Sequence, residues 1–182
     1  NIKVESTGEI RAYRRELNME TGEIKSYWED KNGTIEQSVF SSRANDVNVI
    51  RIIGQKGKKL NLSLQLAETP GRKGEVAGLD LNDVFNSVTS TAEPGWLKYH
   101  ASYKHDAGGY DGLARVSING GEMRVIDNHL QIKNADQVLV VMRITPLEFG
   151  STSQEVPVRN ELSAMATNYQ ALLSPHTKAH GE

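Results

Sequence analysis

Apolar and polar residues alternate along most of the chain, so the sequence is typical of β-strands. In the stretch KLNLSLQLAE, one face carries Leu60, Leu62, Leu64 and Leu66, and polar residues occupy the other face. Because successive side chains of a strand point to opposite faces, this pattern predicts a strand of an antiparallel sheet with one buried and one solvated face. The run at residues 138–144, which is apolar except for Arg143, predicts a strand that is buried on both faces.

Turn signals separate these strands. The pairs Asn32-Gly33 and Asn119-Gly120 predict hairpin turns of type I′, since both central positions of that turn need a positive φ angle. Another turn is expected at Thr21-Gly22. The alternation is lost at residues 69–95, where we predict a long polar loop. Together these patterns predict a mainly β protein, an antiparallel β-sandwich of about ten strands over residues 1–150.

The period of the pattern changes after residue 150. Apolar residues then recur at helical spacing, and Asn160 is placed to act as an N-cap. The apolar stripe consists of Leu162, Met165, Ala166, Tyr169 and Leu173. We predict a helix over residues 161–173 and a break at Ser174-Pro175, because proline in a helix interior costs about 3 kcal/mol. A second helix is expected to begin after that break, so residues 151–182 are predicted to form a loop and a helical linker.

Composition excludes several classes of function. The chain of 182 residues has a net charge of −2, which gives no basic surface for nucleic acid. It contains no cysteine, so it has no disulfide, no cysteine-bound zinc and no thiol nucleophile. No apolar run approaches the roughly 20 residues of a membrane helix. The first residue is asparagine and the opening residues are typical of a strand entered midway, so we expect further residues upstream.

His176 and His180 are four residues apart, as zinc ligands on a helix often are, and Glu182 follows them. A zinc site needs at least a third ligand, and the remaining histidines, His100, His105 and His129, lie in the predicted β region. Both C-terminal histidines also extend the apolar stripe of the predicted helix. We therefore expect them to contact whatever that stripe packs against, and we predict no metal or other cofactor.

Aromatic and polar residues gather in the stretches YHASYKHD and GGYDG. The set consists of Trp96, Tyr99, His100, Tyr103, His105, Asp106, Tyr110 and Asp111. Aromatic rings beside carboxylates and imidazoles would suit a sugar ligand. The plainer interpretation, which we favour, is that aromatic residues at a spacing of two are core residues or cross-strand pairs.

The sequence shows no catalytic residues. Asp80, Asp83, Asp106 and Asp111 could in principle supply the carboxylate pair of a glycosidase, but nothing in the sequence pairs them. Aspartate near glycine is by default a turn residue. The chain has no nucleophile elbow, phosphate-binding loop or dinucleotide fingerprint. Asn32 and Asn61 match the glycosylation pattern, which is a weak signal.

Five segments, in order, resemble the amino-terminal domain of glycoside hydrolase family 95, the α-L-fucosidases and their relatives. They are YRRELNMETGEI (residues 13–24), SVFSSRANDVNVIRI (38–52), KLNLSLQLAETP (59–70), the long segment from GLARV to RITP (112–146) and NYQALLSPHTKAHGE (168–182). The sequence departs from the family pattern at Ala44-Asn45, where proline is usual, and at RITPLEFG. The opening stretch of the family is absent, so the resemblance implies a piece that lacks both ends of a longer protein.

The resemblance implies a non-catalytic β-supersandwich followed by helical linkers and an (α/α)₆ barrel. In that family the general acid and the residues that activate water lie in the barrel, and the reaction is an inverting hydrolysis. The implied partner is therefore the rest of the same chain, the implied ligands are plant, mucin or host-glycan oligosaccharides, and the implied location is periplasmic or secreted. His176 matches a histidine of the linker, where a contact at the domain junction is expected.

Two alternatives remain at this point. The chain could be a stand-alone carbohydrate-binding sandwich that uses Trp96, Tyr103 and Tyr110. The weaker alternative is a protein that binds metal through His176 and His180.

Overall fold

The computed structural model describes residues 2–4, 9–67, 84–105, 108–148 and 153–181. Within them the chain forms twelve β-strands, a short 3₁₀ turn at Gln55–Gly57 and two α-helices. The strands are β1 (Ile2–Val4), β2 (Ala12–Asn18), β3 (Glu23–Asp30), β4 (Gly33–Ser42), β5 (Val47–Gly54), β6 (Leu60–Leu64), β7 (Phe85–Glu93), β8 (Trp96–Tyr103), β9 (Gly109–Asn119), β10 (Glu122–Ile126), β11 (His129–Ala135) and β12 (Gln137–Leu147). The helices are α1 (Glu155–Ala164) and α2 (Tyr169–His180). The mainly β fold class is confirmed.

The strands form two antiparallel sheets. The large sheet has eight strands in the order β2-β3-β4-β5-β12-β9-β8-β7, and the small sheet has four in the order β1-β6-β11-β10. The small sheet packs on one face of the large sheet, which we call the inner face. The two helices pack on the opposite, outer face of the large sheet. The predicted sandwich is therefore confirmed, with a helical layer added on the outside.

The core between the two sheets is built by alternating residues. Leu60, Leu62 and Leu64 of β6 are buried, as the alternation predicted, and Leu66 is half-buried beyond the end of the strand. They pack against inner-face residues of the large sheet, among them Ile35, Ile52, Leu97, Val116 and Val138. Burying one such side chain contributes about 1.5–3 kcal/mol, so this core is the main source of stability of the sandwich.

A second core lies between the large sheet and the helices. Phe40, Val49, Leu113, Leu139 and Val141 of the sheet pack against Val158, Leu162, Tyr169, Leu172 and Leu173 of the helices. Strand β12 contributes to both cores, because Val138 and Val140 face inward while Leu139 and Val141 face outward. The prediction of a strand buried on both faces is confirmed for residues 138–141, whereas Ile144 near the end of β12 is exposed.

The helices depart from the sequence prediction. The predicted helix over residues 161–173 is wrong, because α1 ends at Ala164 and α2 begins at Tyr169. Asn168 caps the second helix, its side chain accepting hydrogen bonds from the N–H groups of Gln170 and Ala171. Pro175 lies inside α2 rather than at a break. It lies on the exposed side of the helix, as does Ala171, the residue whose carbonyl loses its N–H partner.

The turns also differ in detail. The hairpin between β3 and β4 turns at residues 31–32, with Asp30 paired to Gly33. The predicted type I′ turn at Asn32-Gly33 is wrong, because Asn32 does not have a positive φ. Its N–H donates instead to the Asp30 side chain at 2.7 Å, which fixes the turn one residue earlier.

The expected hairpin at Asn119-Gly120 is a corner between the sheets. Gly120 and Gly121 have φ of 67° and 68°, and the chain leaves the large sheet at β9 to enter the small sheet at β10. A Cβ on Gly121 would lie 2.2 Å from the carbonyl oxygen of Lys133, so a larger residue does not fit this corner. Strand β10 forms its hairpin with β11 instead, through Asp127 and Asn128, whose φ angles are 47° and 60°.

The predicted long loop at residues 69–95 is wrong in its second part. Residues 68–83 lie outside the described structure, but Phe85–Glu93 forms the edge strand β7, paired with β8. Its residues are mostly exposed, which explains why no alternation marked it in the sequence. Neither helix in the described part of the chain is long and apolar enough to cross a membrane.

Replacing Leu62 with alanine should test the core between the sheets. The side chain is fully buried, so we expect Leu62→Ala to lower the free energy of unfolding by about 2–5 kcal/mol. Val125→Ala is the matched control, because Val125 is 39% exposed on the edge strand β10 and its truncation should cost far less. Urea unfolding followed by circular dichroism measures both variants, and equal losses would contradict the proposed packing.

Candidate functional site

The sequence candidates His100 and Asp111 lie together in a polar depression on the outer face. Its walls come from the edge strand β7, from the next two strands β8 and β9, and from the start of α1. The polar residues lining it are Thr89, Thr91, Lys98, His100, Asp111, Ser153 and Glu155. The register of the strands explains this grouping, because His100 lies directly opposite Thr89 on one side and Asp111 on the other. Directly opposed residues share a face of the sheet.

Asp111 is the centre of this site. It is 8% exposed, and one carboxylate oxygen contacts His100 Nδ1 at 2.7 Å. The other oxygen accepts hydrogen bonds from the Ser153 hydroxyl at 2.7 Å and from the Gln154 N–H at 3.0 Å. Burial by itself raises the pKa of Asp111, but the hydrogen bonds from His100, Ser153 and Gln154 outweigh it, and the pKa lies below its usual value.

The hydrogen-bond partners of Asp111 decide what chemistry the site can support. A nucleophilic triad needs the serine hydroxyl on one nitrogen of the histidine and the carboxylate on the other. Here Ser153 and His100 both bond to the carboxylate of Asp111, so the imidazole is not placed to take the serine proton. The arrangement can bind and orient a polar group, but it lacks the geometry of nucleophilic catalysis.

Asp111 binds the N-terminus of helix α1. The N-cap residue Gln154 makes no capping hydrogen bond with its own side chain, and Asp111 accepts its N–H instead. At the other end, the guanidinium of Arg115 donates to the carbonyls of Ser163, Met165 and Ala166 at 2.8–3.2 Å. A carboxylate at the N-terminus and a guanidinium at the C-terminus both complement the helix dipole.

Ionic contacts fasten α1 to the neighbouring hairpin. Arg159 donates to Glu93 at 2.9 Å and to Glu155 at 2.8 Å, and Lys98 contacts Glu93 at 2.5 Å. The hydrogen bond from Lys98, supported by the one from Arg159, lowers the pKa of Glu93. The Arg159 guanidinium also lies 4.5 Å from the centroid of the Trp96 ring. Trp96 is therefore covered by the helix.

The aromatic candidates form a cross-strand cluster, which confirms the plainer interpretation of that stretch. On the inner face, Tyr99 stacks on Tyr110 with ring centroids 5.4 Å apart, and Phe85 stacks on Tyr103 at 5.7 Å. Trp96 lies on the outer face, so the large sheet separates it from Tyr103 and Tyr110. The three residues proposed for a stand-alone carbohydrate-binding module therefore do not form one platform.

The two C-terminal histidines pack against the sheet. His176 is buried and stacks on Phe40 with centroids 4.9 Å apart, and its Nδ1 accepts a hydrogen bond from the Arg43 N–H at 3.4 Å. His180 Nε2 contacts the Met19 carbonyl at 3.2 Å. Among the described residues, no group of three His, Cys, Asp or Glu side chains is placed to hold a metal. The contact that the apolar stripe predicted for these histidines is confirmed, and its partner is the large sheet.

Several remaining candidates can be placed only in part. Asp80, Asp83, Asp106 and Glu182 lie outside the described residues. His105 is exposed just beyond the end of β8, and His129 Nδ1 contacts the Asp127 carbonyl within a turn. Of the two glycosylation matches, Asn61 accepts a hydrogen bond from the Asn134 N–H through its side chain, and Asn32 lies in the exposed β3–β4 turn.

Sequence reasoning missed a buried ionic cluster beneath α2. The Tyr169 hydroxyl donates to the Glu23 carboxylate at 2.5 Å, and Glu23 is only 5% exposed. The Arg51 guanidinium lies 4.1 Å from the centroid of the Tyr169 ring and donates to Glu36 and to Ser38, each at 3.2 Å. Burial and the neighbouring Glu23 carboxylate both raise the pKa of Tyr169, so the phenol stays protonated and remains a donor.

No signal in the sequence marked this cluster. In β3, Glu23 and Lys25 alternate with apolar residues as they would on a solvated face. Only the position of α2, set by Asn168 and the apolar stripe, turns that polar face into an interior. The cluster joins β3, β4, β5 and α2, and its chemistry is that of a structural junction.

Removing the Tyr169 hydroxyl should test that junction. Among the described residues, Tyr169→Phe leaves the buried Glu23 carboxylate with only a 3.4 Å ion pair to Lys25, so we expect a loss of about 2–3 kcal/mol in the free energy of unfolding. Tyr27→Phe is the control, because the Tyr27 hydroxyl has no hydrogen bond within the described residues and its loss should change stability by less than about 0.5 kcal/mol. If the Tyr169 and Glu23→Gln changes add fully in the double variant, the two groups are not coupled.

Stability should also depend on pH through Asp111. Its pKa is lower in the folded than in the unfolded protein, so it stabilises the fold above the unfolded value of about 3.9. That stabilisation is lost as the pH falls through the lower folded-state pKa. The difference in melting temperature between wild type and Asp111→Asn should therefore be constant from about pH 7 to 5 and shrink below about pH 4. Glu148→Gln, at an exposed carboxylate, serves as control, and a pH-independent difference for Asp111→Asn would contradict the prediction.

The chain is similar to known proteins in sequence and in fold. No curated protein sequence matches the chain. In fold it is similar to a solved structure described as a "Putative kojibiose phosphorylase from human microbiome", with a TM-score of 0.67 at 10% sequence identity. The similarity covers 98% of this chain and 26% of that protein, so it concerns one part of a larger molecule.

The sequence itself matches a family model over residues 1–146, the one described as glycosyl hydrolase family 65, N-terminal domain. The resemblance drawn from the sequence named family 95. Its coarser content, an N-terminal β-sandwich of a glycoside hydrolase, is confirmed. The chain belongs to the N-terminal domain family of glycosyl hydrolase family 65.

Proposed function

We propose that this chain is the non-catalytic N-terminal sandwich of a carbohydrate-cleaving enzyme, and that it supports a helical-barrel catalytic domain in the same polypeptide. The observation that carries the proposal is the family match over residues 1–146, which is to an N-terminal domain. The fold similarity supports it, because the matching part is 26% of the larger protein.

The chemistry of the described side chains supports a non-catalytic role. Glycoside hydrolysis needs two carboxyl groups that face one sugar, at about 5–10 Å from each other. In the described part of the chain, the buried carboxylates of Glu23, Asp30, Glu36 and Asp111 are each held by hydrogen bonds to neighbouring residues. They fasten helices and strands to one another, and Asp111, which lines the polar depression, has both carboxylate oxygens already engaged.

For the parent enzyme we propose an inverting α-L-fucosidase or α-L-galactosidase of the family 95 type. The support is the ordered set of five segments that resemble the amino-terminal domain of that family. The fold neighbour suggests a second candidate, a phosphorylase that acts on a kojibiose-like α-glucoside. The two candidates differ in the acceptor, which is water in a hydrolase and inorganic phosphate in a phosphorylase.

We further propose a periplasmic or secreted location, with plant, mucin or host-glycan oligosaccharides as substrates of the parent. This proposal rests on the resemblance to family 95 enzymes. The stand-alone carbohydrate-binding module is the less favoured function, because Trp96 lies on the opposite face of the sheet from Tyr103 and Tyr110.

Activity assays should separate these proposals. The 182-residue chain should release no product from aryl α-L-fucoside, from aryl α-L-galactoside or from kojibiose with phosphate. The full-length parent should release L-fucose or L-galactose without phosphate, first as the β-anomer, which proton NMR detects. Turnover by the chain alone contradicts the non-catalytic role. A sugar 1-phosphate formed only with phosphate identifies the parent as a phosphorylase instead.

Calorimetric titration of the same chain with fucosylated oligosaccharides tests the binding module. A flat titration is expected. A saturating one that Tyr103→Ala abolishes and Trp96→Ala leaves unchanged would place a sugar site on the inner-face aromatic cluster, contrary to our expectation.

A further inference from the structure

The strand β2 is an edge of the large sheet, and in the described structure it hydrogen-bonds to β3 alone. All seven of its residues are exposed, including the large apolar side chains of Tyr13 (64%) and Leu17 (57%). The strand has no proline and no glycine, and its register with β3 is unbroken. Such an edge presents unpaired backbone N–H and C=O groups and is a template for another strand.

The opposite edge of the large sheet is different. Strand β7 carries a register irregularity between Phe85 and Ser87, and most of its residues are small and polar. An irregular edge of this kind disfavours pairing with another chain. The contrast indicates that β2 lacks a protection that the same sheet carries at its other edge.

The sequence of β2, AYRRELN, complements itself when it is read in the antiparallel direction about Arg15. Two copies related by a two-fold axis through Arg15 would place Tyr13 opposite Leu17 of the second copy, and Arg14 opposite Glu16 of the second copy. The axis would stand perpendicular to the sheet, so inner-face residues would meet inner-face residues. Four favourable cross-strand pairs would form, against one like-charge contact between the two Arg15 side chains, which water screens.

Neighbouring registers lack this complementarity. A shift by one residue would place inner-face against outer-face side chains, which the pleat of a continuous sheet forbids. A two-fold axis through Arg14 would oppose the two Arg14 side chains, and an axis through Glu16 would oppose the two Glu16 carboxylates. Only the register centred on Arg15 brings opposite charges together on both sides of the axis.

The same register would continue an apolar row that crosses the large sheet. Directly opposed residues form this row, which becomes more exposed from the centre to the edge: Val116, Val140, Ile50, Val39, Ile24 and Leu17. In the second copy, Tyr13 lies opposite Trp28, and Trp28 opposite the buried Ile35. Pairing Leu17 with Tyr13 of the second copy would join the two rows into one.

We propose that the chain self-associates through β2, and that two copies form one continuous antiparallel sheet in the register centred on Arg15. The occupant of the exposed edge is thus a second copy of this chain. Charge complementarity supports this occupant, because Arg14 of one copy would meet Glu16 of the other. In the single chain the two residues pair within the strand at 3.1 Å, and both are exposed. This inference does not depend on the proposed enzymatic function.

Charge reversal tests the proposal directly. In sedimentation velocity over a range of concentrations, the 182-residue chain should form a dimer. Arg14→Glu and Glu16→Arg should each weaken dimerisation at least about tenfold, because each variant opposes like charges. An equimolar mixture of the two single variants should dimerise again, since each carboxylate of one variant then meets a guanidinium of the other. The double variant R14E/E16R should also dimerise on its own.

The chain offers a matched control in Arg124 and Glu122. This pair lies on the edge strand β10, is exposed and has the same spacing and a 2.8 Å contact. Reversing the charge with Arg124→Glu should leave the dimer unchanged. Circular dichroism and melting temperature show whether each variant is folded, and Arg14→Gln and Glu16→Gln replace any variant that is not.

Three results would overturn the proposal. The first is a wild-type chain that stays monomeric at about 0.5 mM. The second is a dimer that tolerates both single reversals, because another surface would then form it. The third is a mixture of the two single variants that stays monomeric although each variant is folded.

Discussion

The outer face of the large sheet can be buried only if the helices stay in place, and β9 holds the first helix by both of its ends. Asp111 and Arg115 are four residues apart on one face of that strand, a distance of about 13 Å. Helix α1 has ten residues and is about 15 Å long, so its two termini lie over the two side chains. The carboxylate of Asp111 lies at the positive end of the helix dipole, and the guanidinium of Arg115 lies at the negative end. This match of length and charge fixes α1 along β9, and the packing of Val158 and Leu162 on the sheet depends on it.

The second helix is held by a different kind of contact. Its apolar side chains pack on Phe40 and Val49, while Tyr169 reaches the buried carboxylate of Glu23. A buried charge is costly unless it is paired and hydrogen-bonded, so Glu23 needs Tyr169 and thereby restricts where α2 can lie. Strand β12, between the helices and the small sheet, is covered on both faces as a result. The helical layer is thus part of the domain's own core.

Structural features that depend on local periodicity could be predicted from the sequence. The burial of Leu60, Leu62 and Leu64 and the doubly buried β12 follow from patterns within single strands. Prediction from the sequence failed where a distant element decides the outcome: β7 shows no alternation because it is an exposed edge, and Asn119-Gly120 looks like a hairpin although the chain changes sheets there. In the candidate site, the sequence brought His100 and Asp111 into one set of residues. The role of Asp111 as the partner of α1 could not be predicted, because Ser153 and Gln154 are more than forty residues away.

Motifs that suggest chemistry in this sequence are used to hold the fold together. A catalytic acid or base must reach the substrate and exchange a proton with it. Asp111 instead has both oxygens engaged with His100, Ser153 and Gln154, and His176 is stacked against Phe40 beneath Gly22. The same residue types therefore stabilise the fold here. Their distances and burial distinguish a structural role from a catalytic one, whereas their spacing in the sequence does not. Hydrogen-bonded networks of this kind make a core rigid, and that is consistent with the N-terminal domain family of glycosyl hydrolase family 65 to which the chain belongs.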